Sequence, residues 1–503
     1  MTFVLSASIA CGGISVYFVR FLGNSTATAK VSQICIILYR LFLHPLSAHP
    51  GPFLGKCTSW YAAYHSYKGT IHTDILRCHE LYGKISPYYY YIYASPSKVV
   101  KSEGYLSMRR DDAVSILNAF NREEHAPRRK LLSRAFSTAA LGDYVPMIYK
   151  TAKIFTDSIL SVTDGVETNG EWGDVRDIGT LSSYFTFDVM SHVVFYSPQN
   201  LITKTHGRSI VHGIDSSTII AGLALEQPLL ARSRLLTRIL LPGHSNNARA
   251  FYESTRQFAA ERIALEEQQH VDDIFGSLLR TGSKRLSLFD LTADALTMII
   301  AGTDTSSVAI SAFFYYTSHY LNSYSRVVTE VRSKFTSADD IQPGAALTSC
   351  VYLRACIDEA MRLAPPVAAP LWRSTISADT IDGVPLPAGT DVATSIYSIQ
   401  RSPALFSDPE TFVPERWLPE YASSIPLELS KKAFHPFSLG SRGCIGKNLA
   451  YMELTTVLAQ IAYRADWRLA LDPDGKVDYK LAAHFTSVKS GPMLRFKRII
   501  EEC

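Results

Sequence analysis

From Ser287 to about Leu321 the chain runs without a proline, and a stretch of that length limits the fold more than any other feature. It opens on S-L-F-D, close to a capping box with Asp290 in the place of the usual Glu, so it predicts one long helix. At about 1.5 Å per residue that helix spans roughly 50 Å, enough to pass through a whole domain rather than lie along one edge. Near its middle stands A-G-T-D-T-S, Ala301 to Ser306, where a glycine and hydroxyl side chains that can bond back to the backbone weaken the ladder. Polar side chains at a weak point of a buried helix point to a site. Taken alone, such a string is more often a Ser/Thr-rich kink.

A second feature lies towards the C-terminus. Phe437 to Gly446 reads F-S-L-G-S-R-G-C-I-G and sets Cys444 in a glycine-punctuated loop that runs into an apolar, helix-patterned segment. A thiolate at the start of a helix is stabilised by unpaired backbone N–H groups and the positive end of the helix dipole, so this loop can hold an anionic sulfur against a metal. Gly440, Gly443 and Gly446 let the backbone turn tightly and approach a flat cofactor. The plain alternative is a buried structural cysteine.

With these residues the chain resembles the cytochrome P-450 haem-thiolate monooxygenases. Their haem-binding loop, F-x-x-G-x-R-x-C-x-G, is matched at every fixed position, and their distal motif, [A/G]-G-x-[D/E]-T-[T/S], fits Ala301 to Ser306. The resemblance implies haem b as cofactor, Cys444 as its axial iron ligand, Phe437 packed on the sulfur side, and Arg442 paired with a propionate. It implies that Thr305 donates a hydrogen bond where O2 is activated and that Asp304 relays protons through ordered water. It also places Arg373, in L-W-R-S, on a strand facing the haem. In E-E-H-A-P-R-R-K, His125 takes the place of the family's tryptophan and Arg129 that of its arginine, both towards a propionate. A surface histidine at a helix start is the other reading of His125. Glu359 and Arg362 of E-A-M-R, three apart on one helix face, would ordinarily be a weak surface ion pair. By resemblance they join Arg416 of P-E-R-W in a buried structural network behind the haem loop.

The remaining sequence sets the architecture. The 503 residues contain no dividing linker, and 47% hydrophobic with 19% charged residues excludes a disordered chain. A net charge of +4 gives no case for nucleic acid, and eight cysteines without a C-x-x-C pair argue against zinc and a disulfide framework. Met1 to Val19 carries no charge and approaches the roughly 20 residues that span a bilayer. A cleaved signal peptide would explain the same run, but Arg20 follows it instead of preceding it. Five basic residues from Arg20 to Lys68 precede the first acid, Asp74, so the positive-inside rule puts the body in the cytosol. The apolar patch Ile34 to Leu43 either lies in the membrane surface or begins the fold. L-H-P-L-S-A-H-P-G-P, Leu43 to Pro52, is a stiff connector, like the proline-rich hinge of microsomal family members. The Asn24 sequon falls on the predicted cytosolic side and is read as unused.

The expected organisation is thus a single-pass anchor in the endoplasmic reticulum membrane over 1–22, a connector over 23–52 and a catalytic domain over 53–503. The expected fold is mainly α with a small β lobe from parts of 70–100, 367–395 and 477–497. Between Tyr82 and Leu117, where the family has a strand pair and a substrate-covering loop, the run S-P-Y-Y-Y-Y-I-Y-A-S-P marks a shortened or altered segment. Leu296 to Ala301, P-P-V-A-A-P at 365–370 and the hairpin around Phe485 to Met493 would line an apolar pocket for a lipophilic small molecule. Arg128, Arg129, Lys130, Arg134, Lys431, Lys432 and Lys447 form either a basic patch or plain solvated charge. A patch would dock the acidic NADPH-cytochrome P-450 reductase that supplies electrons. By overall pattern the chain looks most like ascomycete members that tailor polyketides, terpenoids or alkaloids, hydroxylating or epoxidising them with O2. The alternative is a haem protein of this fold without monooxygenase turnover, such as an isomerase or a sensor.

Overall fold

The computed structural model describes residues 26–83, 89–94, 98–161, 171–282, 286–421, 425–470 and 479–499. The anchor segment 1–22 and Asn24 lie outside them. The first described element is a helix, Thr26–Leu38, running into a π-type turn, Tyr39–Leu43, and its Val31, Ile34, Phe42 and Leu43 are exposed.

The predicted long helix spans Leu288–His319, with the Ser287 hydroxyl accepting from the Asp290 N–H at 3.1 Å. Tyr320 leaves helical geometry (φ −106°, ψ 79°), so the following residues open a separate helix, Leu321–Lys334, instead of extending the first. Through Ala301–Ser306 the α-helix is unbroken. The weak point expected there is absorbed because the Thr305 hydroxyl donates to the Ala301 carbonyl at 2.7 Å while the backbone ladder stays intact. The helix Ile178–Phe195 crosses alongside and is buried on nearly every face, so it belongs to the core rather than to the surface. Gly302 marks the close approach: a Cβ there would stand 2.4 Å from the Met190 sulfur. These two helices share one hydrophobic core with Thr138–Leu160, Val351–Leu363 and Lys447–Arg464.

The β structure is small and peripheral. Val99–Lys101 pairs antiparallel with Arg373–Thr375, which pairs with Asp391–Val392 on its other side. Met493–Arg498 lies between Ala465–Leu469 and Arg176–Asp177, and two hairpins, 379–386 and 480–490, complete it. Of the altered stretch, Tyr89–Ala94 is a helix and Val99–Lys101 is the one strand among its described residues.

Behind the cysteine loop the Glu359 network is buried. Arg362 grips Glu359 with two parallel N–H···O bonds of 2.9 and 2.8 Å and spends its other donors on the carbonyls of Gln400, Pro409 and Thr411. Arg416 adds a bond of 3.1 Å to the same carboxylate, and Trp417 and the Val413 N–H add two of 3.0 Å. Breaking such a network by removing one charge leaves the others buried without a partner. Glu359→Gln is therefore expected to cost about 3–5 kcal/mol of stability, read as the shift of a urea unfolding curve.

Candidate active site

The cysteine loop is closed by its own backbone. The Cys444 N–H donates to the Phe437 carbonyl at 2.8 Å and the Gly443 N–H to Gly440 at 3.0 Å, after which the helix Lys447–Arg464 begins. Gly440 has φ +68°, and a Cβ on it would fall 2.3 Å from the Tyr93 carbonyl oxygen, so the tyrosine helix 89–94 presses directly on this turn. Cys444 is exposed, but to an internal cavity; dense protein surrounds it on its other sides. Burial raises its pKa, while the N–H groups of Gly446 and Lys447 and the charges of Arg129 and Lys447 pull it back.

That cavity has a volume of about 1040 Å³ and separates the loop from the central helix. Phe437, Arg442 and Cys444 of the loop and Leu296, Ala301 and Thr305 of the central helix all line it. Ala301 is exposed although it lies mid-helix in the core, because the cavity reaches it. Thr305 and Cys444 are therefore brought to the same cavity. Asp304 points elsewhere: it is buried, does not line the cavity, and accepts from the Thr486 hydroxyl at 2.7 Å. Burial pushes its pKa up to about 7, with the nearby Asp215 charge adding to the shift and Lys489 opposing it.

One edge of the cavity is cationic. Arg373 and Arg442 line it, as does Lys101, which sits directly across from Arg373 in the strand register. Arg442 donates to the carbonyls of Ala119, Phe120 and Asn121, and Arg373 to those of Leu371 and Trp372. Lys101 donates to the Leu117 carbonyl and lies 4.6 Å from the Tyr105 ring centre. Among the described residues none of these three cations forms an ion pair with a carboxylate. His125 is buried on the helix Arg122–Ala135, held neutral by a pKa lowered to about 3 through burial and the charges of Arg442, Lys101, Arg129 and Arg373. Arg129, on the same helix, donates at 2.6 Å to the carbonyl of Gly443, next to the cysteine, rather than into the cavity.

Two lining residues escaped the sequence. A lone lysine after two valines carries no signal, and only the strand register sets Lys101 beside Arg373. Glu453, on Lys447–Arg464, lines the cavity with one carboxyl oxygen unpartnered and a pKa raised to about 8 by burial. Arg128 is a correction in the other direction: it is buried against Asp290 at 3.0 Å and Asp294 at 3.2 Å, which removes it from the expected basic patch.

These residues fit a haem. A flat dianionic macrocycle brings its own ring nitrogens to the iron, so one sulfur suffices from the protein, and its carboxylates would meet cations that lack acidic partners. Among the described residues no group of three or more metal-ligating side chains occurs.

Comparison with known proteins agrees. A sequence model described as Cytochrome P450 matches residues 96–489. Cytochrome P450 monooxygenase poxM of Penicillium oxalicum is 34% identical over 93% of this chain and 93% of its own length. Cytochrome P450 monooxygenase atnE of Emericella nidulans is 36% identical over 91% of this chain and 93% of its own, and apf7 of Gibberella fujikuroi, a protein of the same description, is 34% identical over 92% and 96%.

The cysteine turn gives a direct test. Gly440→Ala forces a left-handed residue and a clash with the Tyr93 carbonyl, and is expected to cost about 2 kcal/mol or more by thermal unfolding. Gly142→Ala, in a helix with open space around it, is expected to be neutral or to stabilise by about 0.5–1 kcal/mol.

Proposed function

We propose that this chain, which belongs to the cytochrome P450 family and is a monooxygenase using haem and O2, oxidises a lipophilic small molecule held between Cys444 and the central helix. The observation that carries the reading is that Cys444 of the loop and Thr305 of the central helix line one cavity together with the cations Arg373 and Arg442. Cys444 would ligate the iron, Arg373, Arg442 and Lys101 would hold the propionates with the neutral His125 N–H beside them, and Arg129 would steady the loop through Gly443. Haem bound there supplies the oxidising centre that inserts one oxygen atom from O2 into the substrate.

The chain's own residues bind, orient and move protons. The Thr305 hydroxyl, resting on the Ala301 carbonyl, can rotate to donate into the cavity. Asp304, with a pKa of about 7, both holds and releases a proton near neutral pH. It reaches the cavity through Thr486, whose hydroxyl it accepts and which lines the wall. Leu296, Ile300, Val367 and Phe485 make the lining largely apolar, which favours hydroxylation or epoxidation of a polyketide, terpenoid or alkaloid of secondary metabolism.

Electrons would come from NADPH through a reductase docking on exposed Lys130, Arg134, Lys431, Lys432 and Lys447. A single-pass anchor over 1–22 in the endoplasmic reticulum membrane, with a connector over 23–52, would leave the catalytic domain over 53–503 in the cytosol. The exposed apolar side chains of Thr26–Leu43 and of Leu235 and Ile239 support a membrane-facing side.

Two variants test this reading. Cys444→Ser is expected to abolish the red-shifted band of the reduced, carbon monoxide-bound haem, since a neutral hydroxyl is a poor iron ligand; a retained band would remove Cys444 as ligand. Thr305→Ala is expected to keep haem and substrate binding but raise the ratio of hydrogen peroxide to oxygenated product by roughly tenfold or more, the scale of a lost positioned proton donor. An unchanged ratio would shift weight to turnover without oxygenation, or to Thr303 or Ser306.

A further inference from the structure

Asp304 is one end of a buried cluster drawn from four segments. Thr486, which donates to its Oδ2, stands 2.5 Å, oxygen to oxygen, from the hydroxyl of Thr218 on the helix Ser209–Glu226. Asp215 lies about one turn before Thr218 on that helix. Lys489, on the strand Ser487–Ser490, donates to Ser307 Oγ at 2.6 Å and to Ser183 Oγ, which fixes its ammonium between the central helix and Ile178–Phe195. Asp215 and Lys489 both act on Asp304, both acids act on Lys489, and Lys489 acts on Asp215.

Two carboxylates and one ammonium carry a net charge of −1 when all are ionised, and burial opposes that state. One bound proton cancels the excess, so the cluster titrates as a unit rather than as separate residues. Burial raises the pKa of both acids and lowers that of Lys489, while Lys489 lowers both acids and each of them raises Lys489. Three further titratable groups face the cluster: Asp177 acts on Lys489, and His212 and His244 act on Asp215. His212 is exposed, and His244 Nδ1 is 3.2 Å from Ser216 Oγ, so the Asp215 end approaches solvent.

We infer that Lys489 and Asp215 are positioning residues that hold Asp304 at a one-proton balance, and that protons reach Asp304 from the outer side of the helix Ser209–Glu226 through Asp215 and the Thr218–Thr486 hydroxyl pair. The inference rests on the role given to Asp304 and Thr305 above. The helix that supplies Asp215 and Thr218 also supplies Ser217, Ile220, Ala221 and Ala224 to the cavity wall. A substrate seated against that wall bears on the hydroxyl pair, which ties proton supply to an occupied cavity. Movement of a proton along this route changes no oxidation state: it leaves one carboxyl and joins the next acceptor through rotating hydroxyls.

The test uses the full-length, haem-loaded protein with 13C-labelled aspartate and follows the infrared C=O band of protonated carboxyl against pH, taking the component that disappears in Asp304→Asn. Lys489→Met removes the counter-charge and is expected to move the midpoint of that component up by about one pH unit or more, with Lys489→Arg restoring it. Asp215→Asn removes the competing anion and is expected to move it down. The pH at which the product-to-peroxide ratio changes should follow in the same directions. Opposite shifts support the inference, whereas shifts in one direction or none in both variants overturn it. If Lys489→Met does not fold, the downward shift in Asp215→Asn decides alone. Should Thr305→Ala raise the peroxide ratio while both midpoints stay put, this inference fails and the proposed function stands. Should Asp304→Asn change neither the band nor the ratio, the role of Asp304 itself fails.

Discussion

The cavity edge holds more positive charge than the protein neutralises by itself, and much of the local structure depends on that imbalance. Lys101 and Arg373 face one another across two strands, a like-charge pairing that destabilises a sheet when nothing anionic lies between. Part of their donors, and of those of Arg442, go to backbone carbonyls, which supply hydrogen bonds but no opposite charge. An anionic ligand at this edge therefore stabilises the folded chain as it binds, because it has no comparable site on the unfolded one. The same contacts tie elements together: Arg442 joins the cysteine loop to the segment before the Arg129 helix, and Arg129 returns from that helix to the carbonyl beside Cys444.

Away from that edge the electrostatics change character. The buried groups beside the central helix are acids whose pKa values burial has raised into the neutral range, Asp304 to about 7 and Glu453 to about 8. The guanidiniums of Arg373 and Arg442 suit the holding of an anionic ligand, whereas burial and those two charges push the Lys101 pKa well below the usual lysine range, so that its ammonium gains most from an anion placed beside it. Acids poised near neutrality suit the exchange of protons instead. The central helix separates the two functions. Thr305 lines the cavity while Asp304, one residue before it, turns about 100° away into the protein, so a proton donor and its source sit on adjacent positions without both facing the ligand.

What could be read from the sequence was local. The Ser287 cap, the unbroken run behind it, the cysteine loop and the Glu359–Arg362 spacing each lie within a few turns of chain, where periodicity and side-chain chemistry suffice. Cys444, Thr305, Arg373 and Arg442 accordingly meet at one cavity. What could not be read depends on long-range placement. Lys101 acquires meaning only through its register with Arg373, some 270 residues away. Asp215, Thr486 and Lys489 come from segments with no shared motif and converge on Asp304 only after folding. Arg128 stands among basic neighbours in sequence, yet its side of the helix faces Asp290 and Asp294, so adjacency alone misplaced it.

The tyrosine run illustrates how a departure from pattern is accommodated. Tyr89 and Tyr93 stand four apart and are buried on one face of the helix, with Ile92 between them, while Tyr91 turns outward to bond Asp379 at 2.5 Å. The Tyr93 hydroxyl donates to the Leu371 carbonyl at 3.0 Å and accepts from the Thr394 N–H at 3.3 Å, so one side chain supplies to the flanks of the sheet what a neighbouring strand would supply through its backbone. The Tyr93 ring stacks beneath Arg373 at 5.0 Å and its own carbonyl abuts Gly440. A short helix thus stands against both the cationic edge and the cysteine turn. The site keeps its walls because hydrogen bonding and packing constrain the edge of a sheet, and more than one kind of element meets that constraint.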